Sequence, residues 1–380
     1  MKYFFSIFLW LFAAVCTFAQ TFLPGNPYYG NTGYIQYIAG NIPIIISAPH
    51  GGYLEPANIP DRSCAGCVLV KDSYTLELAN ELAAAITAQT GCFPHVIINL
   101  LHRKKLDANR NIEEAADGNA IAEQAWYEFQ GFIDSAKQQV AVNFGKGLYI
   151  DLHGHGHTIQ RIELGYLHTT AELQLPDSVL NTNTYINGSS IKNLVNNNLT
   201  NQTHAQLLRG DFALGTLLQN KGYPCVPSAG IPFPLTGEPY FNGGYNTARH
   251  SSYNGGNIDG VQMECNSNIR FTTAARLAFA DSLAIVLNQY LEQHYFPYYT
   301  AGPCTVINLP QCTQQPEIWG QENACAGASG IYWVAPTDGA AYFWTVTGGT
   351  IINGQGTPQI EVLWNSNNTT GAVSILKTEQ

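Results

Sequence analysis

Short continuous apolar runs alternate with longer stretches whose apolar positions recur at helical spacing through most of the chain. Residues 34–39 and 44–48 read as strands separated by Gly40-Asn41-Ile42-Pro43, and the second runs straight into His50-Gly51-Gly52. Residues 72–89 carry Leu76, Ala79, Leu82, Ala83 and Ile86 along one helix face, and Gly91 follows as a stop. Residues 96–101 read as a buried strand and 113–142 as a long helical region interrupted near Gly118 and Gly131. Further strands are expected at 148–152, 162–167 and 260–265, a short helix at 191–199, a helix ending at Gly222 and a last helix at 274–295. Strands alternating with helices predict an α/β fold, a mixed and mostly parallel sheet covered on both faces.

The pattern changes near residue 303. Residues 303–314, with Pro303, Pro310 and two cysteines, read as a linker. Beyond it, 331–334, 342–346, 360–364 and 373–376 are aromatic and β-branched runs separated by Gly, Asn, Pro and Thr clusters, which predicts a small β-sandwich over 315–380. That segment has no histidine and little that could act as acid or base. Chemistry is therefore expected in residues 20–302.

Residues 1–19, with Lys2, an apolar centre and Ala19, have the form of a secretory signal. Cleavage there leaves about 360 residues, enough for two domains. The formal charge of −10 has no basic block within it, which argues against nucleic acid and anionic membranes as partners. No later segment is long and apolar enough for a membrane span. Removing Cys16 leaves eight cysteines, an even number suited to disulfides in an oxidising compartment. Cys64-Ala-Gly-Cys67 is more readily a local disulfide than a zinc half-site or redox pair, since no second Cys-x-x-Cys accompanies it.

Four places near strand ends carry candidate chemistry: His50 with Glu55, the segment Arg103 to Arg110, His153, and Glu264. Loops at the carboxyl ends of strands form the crevice of an open α/β sheet. Two neutral imidazoles and a carboxylate are a common catalytic zinc set with a position left for water. A further carboxylate can take the water proton and pass it to a leaving nitrogen, and arginine holds a substrate carboxylate by two parallel hydrogen bonds. The alternatives are mundane. Glu264 could be a buried carboxylate paired to Arg270, and Arg103 and Arg110 could merely neutralise Asp107 and Glu113. Arg161 and Glu163 could line a pocket or pair with each other, Asp61-Arg62 reads as an internal ion pair, and His250 is a candidate transition-state donor.

The segments Ser47-Ala-Pro-His50-Gly-Gly, Asp107-Ala-Asn109-Arg110, Asp151-Leu-His153-Gly-His155 and Gln262-Met-Glu264 resemble, in order and spacing, the N-formylglutamate amidohydrolase family, which shares the zinc carboxypeptidase fold. The resemblance implies zinc on His50, on an acidic residue just after it and on His153. It further implies Asn109 and Arg110 on a substrate carboxylate, and Glu264 as general base; Arg103, outside those motifs, is a further candidate for that carboxylate. Zinc carboxypeptidases place the acidic ligand three residues after the first histidine, where this chain has Tyr53. Glu55 matches the His-Gly-Gly-x-x-Glu spacing of the related poly-γ-glutamate hydrolases and is the expected ligand, with Asp72 in reserve. His153 alone of the three histidines is expected on the metal, Asp151 supports it from behind, and His155 and His157 line the pocket or do nothing.

Residues 315–380 are similar to PKD-like domains of secreted Bacteroidetes proteins, through Ile318-Trp-Gly, Cys325-Ala-Gly, Tyr342-Phe-Trp344 and Gly348-Gly. That family implies a spacer with a cell-surface or polymer contact. The expectation is thus a zinc-dependent amide hydrolase of the cell surface, periplasm or exterior of a Gram-negative bacterium. Its substrate would be a small acyl amino acid or peptide with a free carboxylate. The rivals are a catalytically inactive extracellular binding protein and a redox protein using Cys64 and Cys67.

Overall fold

A computed structural model describes residues 22–304, 318–321, 325–337, 340–366 and 371–378. The segment read as a secretory signal and residues 305–314 of the linker lie outside the described residues. The chain divides into two compact units, Met1–Ile307 and Asn308–Gln380.

In the first unit, among the described residues, one eight-stranded sheet contains β1 (Pro27–Tyr29), β2 (Ile35–Ile38), β3 (Ile44–Ala48), β4 (His95–Asn99), β5 (Gly147–Gly154), β6 (Ile162–Gly165), β7 (Cys225–Val226) and β8 (Ile258–Cys265). Their order is β1-β2-β4-β3-β5-β8-β6-β7. The central strands β4, β3, β5 and β8 run parallel, while β2 and β6 join them antiparallel on either side. β3, β4 and β8 are buried along their whole length, as strands covered on both faces must be, which explains the apolar runs at 44–46 and 96–98.

α1 (Thr75–Thr90) follows β3 and buries Leu78, Ala79, Leu82, Ala85 and Ile86. It ends at Gly91, in the left-handed region at φ 70°, whose N–H bonds the Thr87 carbonyl. The helical region after β4 is broken where Gly118 suggested. α2 (Ile112–Ala116) and α3 (Ala120–Phe144) are separated by Asp117 and Gly118, both at positive φ, and Asn119 caps α3 through Ile121 and Ala122. Gly131 does not interrupt α3. The chain leaves β3 toward β4 on one side and, after α3, returns to β5 on the other side of β3. Right-handed crossovers in opposite directions put α1 and α3 on opposite faces. The carboxyl ends of β3 and β5 therefore flank the point where the winding reverses, where open α/β sheets form a crevice.

Cys64 pairs with Cys67, and Cys92 with Cys304. Cys225 and Cys265 are buried and unpaired. Among the described residues no helix is long and apolar enough to cross a membrane.

Among the described residues, the second unit contains two antiparallel sheets. Gly349–Asn353, Gln359–Trp364, Ser329–Trp333 and Trp319–Gly320 form one, and Ala341–Thr347 pairs with Ala372–Thr378 in the other. Its small core is built on Tyr332, Val334, Tyr342, Trp344, Ile360 and Val362.

Candidate active site

His50 lies two residues beyond β3 and His153 near the end of β5, neighbouring parallel strands, so their rings meet across the crevice with centroids 4.8 Å apart. The glycines after His50 are dictated by close packing. A Cβ on Gly51 would lie 2.5 Å from the Leu76 nitrogen, and one on Gly52 2.4 Å from the Leu100 carbonyl. Past Gly52 the chain is tied to the segment following β4. Tyr53 and Leu54 donate to the Leu100 carbonyl, and the His102 N–H donates to that of Leu54.

That tie decides the acidic partner. Glu55 is carried to the surface, where it pairs with Lys104 at 2.8 Å and lies 4.0 Å from His102, outside the histidine cluster. Asp72 comes to the histidines instead, because its own N–H donates to the His50 carbonyl. Its Oδ2 is 3.3 Å from His50 Nδ1, 3.2 Å from His153 Nδ1 and 3.2 Å from the Gly154 nitrogen. His50, Asp72 and His153 thus present one donor atom each, all within 4.8 Å of one another. The structure thus gathers Asp72, the reserve, with His50 and His153 and leaves Glu55 outside the cluster.

Each imidazole has a second carboxylate behind it. His50 Nε2 lies 2.6 Å from Asp107 Oδ1, and His153 Nε2 lies 3.0 Å from Asp151 Oδ2. Asp151 is fully buried and receives Ser47 Oγ at 2.7 Å on its other oxygen. Burial alone would raise the Asp72 carboxyl, but the two imidazoles overcome it and hold it well below its ordinary value. Asp107 is likewise held low by His50 and Arg103 against its burial. Burial would depress His153, yet Asp151, Asp72 and Glu264 raise it well above the usual imidazole value.

These contacts test whether a metal fits. An ionised carboxylate only accepts, so His50 Nε2 carries the hydrogen it donates to Asp107. His50 Nδ1 then turns a bare lone pair toward the Asp72 oxygen at 3.3 Å, and two acceptors facing each other need a proton or a cation between them; His153 Nδ1 lies 3.2 Å from the same oxygen. Imidazoles oriented by carboxylates on their far nitrogen are the usual arrangement of metal-binding histidines, and the donor set suits zinc.

Glu264 stands opposite His153 in the β5–β8 register and opposite Glu163 on the other side. Arg270 does not neutralise it: that guanidinium donates to the backbone carbonyls of Ser73, Cys265 and His155. Glu264 instead accepts from Gln262 Nε2 at 3.0 Å. Burial, with Asp72, Glu163 and Asp151 nearby, pushes its carboxyl up to about 8 despite the attraction of His153.

The cluster opens into a cavity of about 580 Å³, which Arg103, Asn109, Arg110, His155, His157 and Gln262 also line. Arg103 binds Asp107 through Nε at 2.9 Å and Asp72 through Nη1 at 3.4 Å. Arg110 is held by Glu114 at 3.0 Å and the Asn109 carbonyl at 2.8 Å. Nη2 of each has no partner among the described residues. Asn109 Nδ2 lies 3.3 Å from His153 Nε2, and its Oδ1 accepts the Asn246 N–H.

Other candidates resolve differently. His155 is fixed between the Arg161 carbonyl and the His157 N–H, while His157 bonds Glu163 at 2.8 Å and stacks on Phe241. His155, His157 and Glu163 form a second group of metal-capable donors, engaged with one another and with backbone. Arg161 pairs with Glu238 rather than Glu163. Asp61 pairs with Lys104 and Lys105 rather than Arg62, which reaches Asp107 at 3.6 Å. His250 is buried against Gln130, apart from the cavity lining. The residue whose role was missed is Asp107; its sequence signal was its place in the Asp-Ala-Asn-Arg motif, where it had been read only as a counter-charge.

Fold and site together define an α/β protein with a buried His-Asp-His cluster at a topological switch point. Residues 311–379 match the family model of the PKD-like domain, so the C-terminal unit is of that kind. No curated protein matches the chain significantly. Among solved structures, it is similar to N-formylglutamate amidohydrolase from Ralstonia eutropha JMP134 (TM-score 0.39, 12% identity, covering 67% of this chain and 95% of that one). It is also similar to a gene product of Agrobacterium tumefaciens (0.41, 13%, 68% and 95%). A candidate metallopeptidase from Shewanella amazonensis SB2B is a further neighbour (0.29, 10%, 68% and 80%).

Proposed function

We propose that this chain is an exported, zinc-dependent amide hydrolase acting on an N-acyl amino acid or peptide that bears a free carboxylate. One observation carries the reading. His50 and His153 each set Nε2 on a carboxylate and turn Nδ1 toward the same Asp72 oxygen, beside a buried glutamate in a cavity. His50, Asp72 and His153 would hold the zinc, which when bound supplies Lewis acidity that polarises a carbonyl and acidifies water.

The chain's own groups do the rest. Glu264, unpaired with any arginine, accepts the proton of the attacking water and returns it to the leaving nitrogen as the C–N bond breaks, releasing a carboxylate and an amine. Arg110 and Arg103 offer their Nη2 groups to the substrate carboxylate, and Asn109 borders the same space. Local positive groups set the field in the cavity, so the net negative chain does not oppose an anionic substrate. Two disulfides suit an oxidising compartment and support export. The PKD-like unit suits a spacer or surface contact.

The test is hydrolysis of a panel of N-acyl-L-glutamates and α- and γ-linked dipeptides by wild type and Glu264→Gln. Turnover by wild type that falls at least about 100-fold in the variant supports the reading. Equal turnover by both removes Glu264 from the mechanism.

A further inference from the structure

Gln262 lies on β8 two residues before Glu264, so both side chains project from the same face of the strand. It is only 3% exposed, yet it lines the cavity. Its Nε2 donates to Glu264 Oε1 at 3.0 Å. The other end, Oε1, is a buried acceptor with no donor among the described residues. The backbone at Gly244 closes over it: a Cβ there would stand 2.9 Å from Gln262 Oε1 and 2.6 Å from Asn109 Nδ2. A buried carbonyl oxygen without a donor is costly, and here the cost is relieved only by something entering the cavity.

We propose that Gln262 Oε1 accepts the N–H of the scissile amide, making Gln262 the residue that restricts this enzyme to secondary amides. The assignment rests on the amide-hydrolase reading above. A nitrogen placed to receive its proton from Glu264 comes within reach of the amide beside Glu264. With its own hydrogen held by Gln262, that nitrogen is oriented for protonation by Glu264. Esters, N-methyl amides and acyl–prolyl bonds have no such hydrogen and leave Oε1 buried and unpaired. Sites built to bond a substrate N–H reject analogues lacking it far more strongly than sites that sense shape alone.

The experiment pairs each substrate of the panel with its N-methyl and ester counterparts and measures kcat/KM for wild type and Gln262→Met, with zinc content and melting temperature as controls on folding. Wild type is expected to prefer the secondary amide over the N-methyl amide by about 100-fold or more. Gln262→Met is expected to keep its zinc and to lower the amide-to-ester ratio by at least about 10-fold. A wild type that cleaves the N-methyl amide as fast as the secondary amide overturns the assignment while leaving the hydrolase reading intact. So does an amide-to-ester ratio unchanged in the variant. A wild type inert toward every compound overturns both.

Discussion

Asp107 Oδ1 lies 2.6 Å from His50 Nε2, and this contact determines which nitrogen of His50 faces the cavity. A carboxylate there keeps the hydrogen on Nε2 and frees Nδ1 for a ligand. Asp107→Asn keeps the shape and loses the charge. Zinc affinity is expected to fall about 10- to 100-fold, measured by competition with a chelating dye. An affinity equal to wild type would show that Asp107 serves only Arg103 and Arg62.

Glu55 and Asp72 separate two geometries of the metal site. Glu55→Gln removes an exposed ion pair with Lys104 and should leave the melting temperature nearly unchanged, with zinc content intact. Asp72→Asn should lose the metal. Loss of zinc in the Glu55 variant instead would restore the ligand set that sequence spacing suggests.

That contrast shows what was legible in the sequence. The apolar strands that stop in histidine and glycine pointed to His50 and His153, and the lone charge in the expected strand 260–265 pointed to Glu264. The acidic partner was obscured because closeness in sequence is a poor guide once the backbone turns. The bonds from Tyr53 and Leu54 to Leu100 carry Glu55 away, whereas Asp72 returns to the His50 carbonyl after a long loop that has no periodicity. The break at Gly118 was legible because two successive residues adopt positive φ there. Gly131 misled because a helix tolerates one glycine at a cost of about 1 kcal/mol. The helix Tyr245–His250 follows a Gly-rich stretch and is anchored by the Asn246 N–H on Asn109.

Metal binding should depend on pH with a definite sign. Without metal, the raised His153 holds a proton between itself and its carboxylates. A histidine whose folded value is raised contributes stability that is fully present below its unfolded value, about 6.5, and lost as pH rises through the folded value. Chelated protein should therefore lose melting temperature as pH rises above about 6.5 more steeply than zinc-loaded protein, and apparent zinc affinity should climb in the same direction. Parallel pH profiles with and without chelator would contradict this.

Gly52 is predicted to be irreplaceable for steric reasons. A methyl group there meets the Leu100 carbonyl at 2.4 Å, and both sides of the contact are backbone. Gly52→Ala should lower stability by about 2–3 kcal/mol, read from the urea midpoint at unchanged slope. An unchanged midpoint would mean that the chain after His50 can move freely, in which case its tie to Leu100 does not explain where Glu55 lies.

The central claim, that His50, Asp72 and His153 form a zinc site, is tested most directly by metal analysis of purified full-length protein beside Asp72→Asn. About one zinc per chain in wild type and a small fraction of that in the variant is the predicted result. Wild type free of zinc after purification and zinc reconstitution, or a variant that retains it in full, would contradict the claim.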